Sequence, residues 1–152
     1  MLLQATTVNG RHNVGRVDHI ALIYRNRDNL EKAKQEFTTL LGVTDWEDMG
    51  EVYGRVHVVV SWQSGLELIF PTRPDPALDH HLATKGEGFF SLIFGVADLD
   101  EAVARVLKAG GIAHPHPDTP AQAFQTFEVA REAVLGQVGG INLTLGEFKP
   151  KT

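Results

Sequence analysis

The pattern of apolar and polar residues predicts the same order of strand, helix and later strands twice along the chain. The first copy begins with the apolar strand pattern VDHIALIY and continues with LEKAKQEFTTLLGV, whose apolar residues lie at helical spacing. RVHVVVSW and LELIF then alternate on either side of a turn at Gln63 and Ser64, which predicts a β-hairpin.

The second copy repeats this order. FFSLIFGV predicts a strand, and LDEAVARVLKAGGI predicts a helix that begins after Asp98 and ends at Gly110 and Gly111. FQTFEVA and GINLTLGEF predict the later pair of strands. The intervening REAVLGQVGG lacks a clear period, and the proline-rich HPHPDTPAQ is interpreted as a loop.

The repeat predicts the fold class. One strand–helix–sheet unit leaves a sheet face uncovered, so we expect an α+β protein in which two fused βαβββ modules form an open, curled mixed sheet, with the helices outside. Every second residue of the strands would line the concave face of this cup. The predicted divisions are an N-terminal arm at 1–15, a first module at 16–71, a linker with a short helix at 72–87, and a second module at 88–149.

Composition narrows the classes of partner. The 152 residues are 43% hydrophobic and 22% charged, with a net charge of −5, as in an ordered soluble protein. No basic stripe favours nucleic acid or anionic membrane. The absence of cysteine excludes disulfides and thiolate catalysis. No apolar run reaches the ~20 residues of a membrane span, and no signal peptide is evident. We therefore expect a cytoplasmic protein, and a homodimer formed through exposed strand edges.

Alternation within the predicted strands selects the residues that face the cup. The larger apolar side chains should pack on the helices, which leaves the polar positions between them for the cup. The hairpin register could reverse the face assigned to the strand that contains His57. The polar side chains expected on the cup face are His19, His57, Glu67, Ser91, Asn142 and Thr144.

Glu67 requires a physical explanation because an unpaired carboxylate on a buried strand costs several kcal/mol. It could hold a proton, bind a metal, or contact a donor, and each outcome suits acid–base chemistry. A purely structural ion pair with Arg55 or another arginine is the alternative. His19 could likewise be a core histidine that is hydrogen-bonded to a neighbour.

Three short motifs resemble those of a known protein family. They are DHIAL in the first strand, LELIFPT in the hairpin and KGEG before FFSLIFGV. They are similar to the vicinal oxygen chelate superfamily, which includes glyoxalase I, methylmalonyl-CoA epimerase, extradiol dioxygenases and bleomycin-resistance proteins. The epimerase and glyoxalase branch is the most similar in appearance. The resemblance implies a four-residue metal site whose first two positions are His19 and Glu67. Ser91 and Thr144 occupy the third and fourth positions, where the family usually has His and Glu.

The resemblance implies a small-molecule enzyme, a lyase or isomerase that moves protons beside a carbonyl, with Glu67 and His19 as catalytic residues. Any metal would be a weakly bound divalent ion at these two residues, or there would be none. The alternatives are a metal-free binding protein that sequesters a hydrophobic or aromatic compound, as resistance proteins do, and a degenerate subunit that acts only as a partner surface. The substrate-binding residues expected are His57, Ser91, Asn142 and Thr144.

Overall fold

The computed structural model describes residues 15–116 and 123–151, except for the side chain of residue 124. The predicted arm at 1–15 lies outside these residues apart from Gly15, as does the part of the proline-rich loop at 117–122. The elements are β1 (Arg16–Ile23), α1 (Arg27–Leu41), β2 (Trp46–Val52), β3 (Val56–Ser61), β4 (Leu66–Pro71), α2 (Pro76–Lys85), β5 (Gly88–Gly95), α3 (Leu99–Lys108), β6 (His114–Pro115), α4 (Ala123–Thr126), β7 (Phe127–Val138) and β8 (Ile141–Pro150).

The first module places its strands in the order β2-β3-β4-β1, with β1 and β4 parallel and the other pairs antiparallel. Helix α1 begins where the Asn26 side chain accepts a 2.9 Å hydrogen bond from the Asn29 amide. It ends at Gly42, whose φ of 71° is a left-handed conformation that glycine adopts without steric cost. Leu30 of α1 is fully buried against the sheet.

The second module repeats this arrangement, with the order β5-β8-β7-β6 and a parallel pairing of β5 with β8. Asp98 caps α3 by accepting a hydrogen bond from the Glu101 amide at 3.0 Å. The buried core between α3 and the sheet consists of Leu99, Ala102, Ala133 and Leu145. Both modules therefore have the predicted βαβββ order, and the expected α+β class is confirmed.

Strand β7 is where the sequence interpretation was least complete. REAVLGQV, left unassigned, belongs to β7, and the pairing of β7 with β8 shifts register between Phe127 and Val129 and between Val134 and Gly136. Each shift interrupts the alternation of faces, so the sequence shows no steady period. The predicted loop also contains β6. Residues 124–126, predicted as the start of a strand, belong to helix α4 instead.

Contacts divide the chain into two compact units. One comprises His19–Phe90, and the other comprises the described residues on either side of it. The predicted domain boundaries stay predictions. None of the helices in the described ranges has both the length and the apolar character needed to cross a membrane.

A buried carboxylate on β8 is the centre of a charged cluster that links β7, β8 and α3 in the second module. Glu147, 4% exposed, accepts hydrogen bonds from Arg131 at 2.6 and 3.0 Å, and Lys149 lies 3.1 Å away. Arg131 also reaches Asp100 of α3. Burial alone would raise the pKa of Glu147, but the bonds from Arg131 and Lys149 outweigh it and lower that pKa below its usual value.

Glu147→Gln is expected to reduce the free energy of unfolding by about 1–3 kcal/mol at pH 7, because charge-assisted hydrogen bonds are lost. Because the pKa of Glu147 is lower in the folded protein than in the unfolded chain, its ionised form stabilises the fold. This stabilisation is complete at pH values above the ordinary glutamate pKa, and it is lost as the pH falls through the pKa of the folded protein. Urea unfolding should therefore show a constant difference between parent and variant down to about pH 5, and a shrinking difference below it. Glu101→Gln, in a highly exposed pair with Arg105, is the matched control and should cost less than about 1 kcal/mol.

Candidate active site

Strand register defines one polar face of the first-module sheet. Glu67 lies opposite Val60 on β3 and opposite Ala21 on β1. Laterally paired residues project to the same face of a sheet, so these three side chains share a face. His19 lies two residues before Ala21 and joins them there. We call this surface the His19 face.

The opposite face of the same sheet packs on α1. Its buried cluster contains Leu22 from β1, Val59 from β3, and Leu68 and Phe70 from β4, together with Leu30 of the helix. These residues alternate with those of the His19 face along each strand. The burial of one face therefore fixes which side chains the other face presents.

His19 and Glu67 meet on the His19 face. The His19 Nε2 atom lies 3.2 Å from Glu67 Oε2. The His19 side chain is 1% exposed and that of Glu67 is 20% exposed, so the imidazole is enclosed while the carboxylate retains access to solvent. Arg55, the structural partner considered for Glu67, instead pairs with Asp75. Glu67 therefore does not pair with Arg55, and its carboxylate instead lies beside the His19 imidazole.

The predicted face of His57 is wrong. His57 lies opposite Phe70, and their rings stack at 5.0 Å with an angle of 8° on the α1 side of the sheet. Its Nε2 atom lies 2.7 Å from Asp48. The register that pairs Val60 with Glu67 produces this reversal, because it sends the odd-numbered residues of β3 to the α1 side. His57 is thus removed from the candidate substrate-binding set.

Two further residues of the His19 face escaped the sequence analysis. Glu47 on β2 lies opposite Val60, so it shares a face with Glu67 from two strands away, at about 10 Å between the backbones. The Trp62 indole N–H donates to Glu47 at 3.1 Å, and the Trp62 ring lies edge-on to His19 with 5.5 Å between centroids. In WEDMGEV the two adjacent acidic residues interrupt any alternation, so the sequence contains little signal for β2.

The second module carries Ser91 and Thr144 at the matching positions. Thr144 pairs with Ile93 in the second module, as Glu67 pairs with Ala21 in the first. Ser91 lies two residues before Ile93, which is the position that His19 has relative to Ala21. Ser91 and Thr144 are 7% and 8% exposed. The Ser91 hydroxyl donates to the Asn142 carbonyl at 3.3 Å. Their predicted roles in substrate binding stay predictions, as does a cup shared with His19 and Glu67.

These residues do not fit the metal site that the superfamily resemblance implies. Catalytic metal sites usually have about three protein ligands and an open position. The first module offers one imidazole and one carboxylate, and the matching residues of the second module are uncharged hydroxyls. Across residues 15–116 and 123–151, no group of three or more His, Asp or Glu side chains is arranged to hold a metal ion.

A separate cleft of about 660 Å³ lies in the first module beside α2 and includes Arg25, Thr72 and Arg73. Both arginines are already engaged, Arg25 with Glu87 and Arg73 with Glu51. The cleft therefore presents no concentrated positive charge to an anion. Neither His19 nor Glu67 lines this cleft.

The sequence profile of the Glyoxalase/Bleomycin resistance protein/Dioxygenase superfamily matches residues 18–127. The chain belongs to this superfamily. The match includes both residues of the His19–Glu67 pair. A comparison with curated proteins gave no significant match.

Solved structures of similar fold include several superfamily members. A variant of Streptomyces coelicolor methylmalonyl-CoA epimerase in complex with 2-nitronate-propionyl-CoA is 23% identical, with a TM-score of 0.68 over 90% of this chain and 99% of that one. Methylmalonyl-CoA epimerase from Mycobacterium tuberculosis is 20% identical, with a TM-score of 0.68 over 99% and 94%. At these identities the likeness shows the fold.

The donor set predicts weak metal binding. Titration of metal-stripped protein with Co²⁺ or Zn²⁺, followed by calorimetry, is expected to show no tight one-to-one binding at His19 and Glu67. Two protein donors supply too few bonds to hold such an ion firmly. Tight stoichiometric binding that both His19→Gln and Glu67→Gln abolish, while exposed Glu31→Gln leaves it intact, would contradict this expectation.

Proposed function

We propose that this superfamily member catalyses proton transfer at a carbon beside a carbonyl group of a small acyl substrate, as an isomerase or lyase. The 3.2 Å contact between His19 and Glu67 on the His19 face is the observation that supports this proposal most strongly. A carboxylate held near a carbon acid can remove its proton, and a neighbouring imidazole can stabilise or share that proton.

Glu67 is the proposed acid–base group and His19 is its partner. The enclosed imidazole keeps its position while the partly exposed carboxylate can reach a bound substrate. Removal of the proton leaves negative charge on the carbonyl oxygen, and hydrogen-bond donors must stabilise it. The substrate-binding roles predicted for Ser91 and Thr144 stay predictions, and no step is assigned to a metal.

Glu47 supplies the second group that an isomerisation needs. Inversion at carbon requires a proton to leave one side and a proton to arrive from the other. Glu47 and Glu67 project from the same sheet face about two strands apart, roughly 10 Å. A carbon acid bound between them could exchange protons with both carboxylates.

Thioesters of 2-substituted short acids are the proposed substrate class. Solved structures of similar fold include epimerases in complex with 2-nitronate-propionyl-CoA or with methylmalonyl-CoA. Those complexes suggest the substrate class that we propose for this chain. A thioester acidifies the adjacent carbon, which suits a carboxylate base. The homodimer and the cytoplasmic location expected from the sequence stay part of this proposal.

Incubation of the protein with 2-substituted acyl-CoA thioesters in D₂O is the direct test, with ¹H NMR following loss of the proton at the 2-position. Parent protein is expected to exchange this proton catalytically with at least one member of the panel. Glu67→Gln should reduce the rate by about 10²–10⁴-fold, because a positioned acid–base group typically contributes that much.

Glu31→Gln is the matched control, since Glu31 lies half-exposed on α1, and it should exchange at the parental rate. Stoichiometric binding of the thioesters or of aromatic compounds without any exchange by parent protein would contradict the enzyme proposal. That outcome would support the sequestration alternative, which the superfamily's bleomycin-resistance members make the natural competitor.

A further inference from the structure

The turn between β3 and β4 holds Trp62 in a fixed position. Ser61 is fully buried, and its hydroxyl donates to Asp45 Oδ1 at 2.6 Å. The Gln63 amide donates to the other oxygen of the same carboxylate at 3.0 Å. The Ser64 amide and hydroxyl both contact the Ser61 oxygen, at 3.1 and 2.7 Å. Residues on both sides of Trp62 are therefore tied to one carboxylate, which leaves its backbone little freedom.

The Trp62 side chain is fixed by two further contacts on the His19 face. Its indole N–H donates to Glu47 Oε2 at 3.1 Å. Its ring meets the His19 ring nearly at right angles, 82°, with centroids 5.5 Å apart. Edge-to-face contact is a favourable arrangement of two aromatic rings, and it restricts rotation of both.

Rotation of the His19 ring determines whether a nitrogen or a carbon atom faces Glu67. The terminal torsion of histidine is broad and nearly two-fold, so burial alone does not select one of the two ring orientations. The perpendicular Trp62 ring, whose N–H is bonded to Glu47, fixes the plane of the imidazole. The Glu67 carboxylate beside Nε2 then favours the orientation that turns a nitrogen toward it. The bond from the Trp62 N–H also aligns the Glu47 carboxylate with the face on which Glu67 lies.

We propose that Trp62 is a positioning residue that orients the His19 imidazole toward Glu67 and the Glu47 carboxylate toward the same bound substrate. The inference rests on the proposed proton-transfer function for its catalytic consequence, and its structural part concerns only the first module. Trp62 acts through His19 and Glu47 and exchanges no proton itself.

The chain provides a matched control in its other tryptophan. Trp46 also donates its indole N–H within the first module, to the Thr38 hydroxyl at 2.9 Å, but it packs with Phe37 on the α1 side. Trp62→Phe and Trp46→Phe remove the same atoms from opposite faces of one sheet. Trp62→Ala removes the ring altogether.

The experiment records ¹⁵N NMR shifts of the His19 ring nitrogens in each variant at one fixed pH, assigned with the help of His19→Gln. Parent protein and Trp46→Phe are expected to show one tautomer in one environment. Trp62→Ala should shift or broaden these signals most. Trp62→Phe, which keeps an aromatic ring beside His19 but loses the N–H bond to Glu47, should change them by a smaller amount. Unchanged His19 signals in folded Trp62→Ala and Trp62→Phe would overturn the proposal, as would equal changes in Trp46→Phe.

Kinetics provide the second readout once a thioester substrate is found. Trp62→Ala should lower kcat by about 10–100-fold with little change in KM, because misplaced catalytic groups reduce the rate more than they reduce binding. A loss expressed in KM alone would contradict a positioning role. The NMR result needs no turnover, so an altered His19 spectrum with an inactive parent would sustain the positioning role and refute only the proposed function.

Discussion

The alignment of β1 with β4 is the constraint on which the candidate site depends. Ala21 lies opposite Glu67 across a parallel pair, and this places His19 within reach of the carboxylate. A slip of one residue in β4 would turn Glu67 toward α1 and place an apolar side chain beside the imidazole. The packing of Leu22, Leu68 and Leu30 on the α1 side opposes such a slip, because it would bring Glu67 into that buried cluster. The packing of the apolar face against α1 thus determines which side chains lie on the His19 face.

A buried imidazole and a carboxylate each carry a solvation cost that the other offsets. His19 is enclosed, and its Nε2 atom lies 3.2 Å from Glu67 Oε2. At the matching positions the second module has Ser91 and Thr144, whose uncharged hydroxyls need no counter-charge. The internal repeat therefore preserves strand geometry, while at these matched positions only the first module carries ionisable side chains.

Much of this arrangement could be predicted from the sequence. The repeated strand–helix–strand pattern predicted both βαβββ modules, and alternation placed His19 and Glu67 on one face because β1 and β4 are short and regular. The face of His57 depended on a hairpin register that only cross-strand pairing decides. Glu47 was missed because β2 contains a register shift between Asp48 and Gly50, which hides its alternation. The role of Trp62 depends on a turn whose hydrogen bonds link residues from separate strands, which no local pattern reveals.

A double-mutant cycle on His19 and Glu67 tests the central claim most directly. The free energy of unfolding of His19→Gln, Glu67→Gln and the double variant would be measured by urea denaturation at pH 7. Direct contact between the two side chains predicts a coupling energy of about 0.5–3 kcal/mol. Effects that add to within about 0.5 kcal/mol would show that the imidazole and the carboxylate do not interact, and would contradict this account of the site.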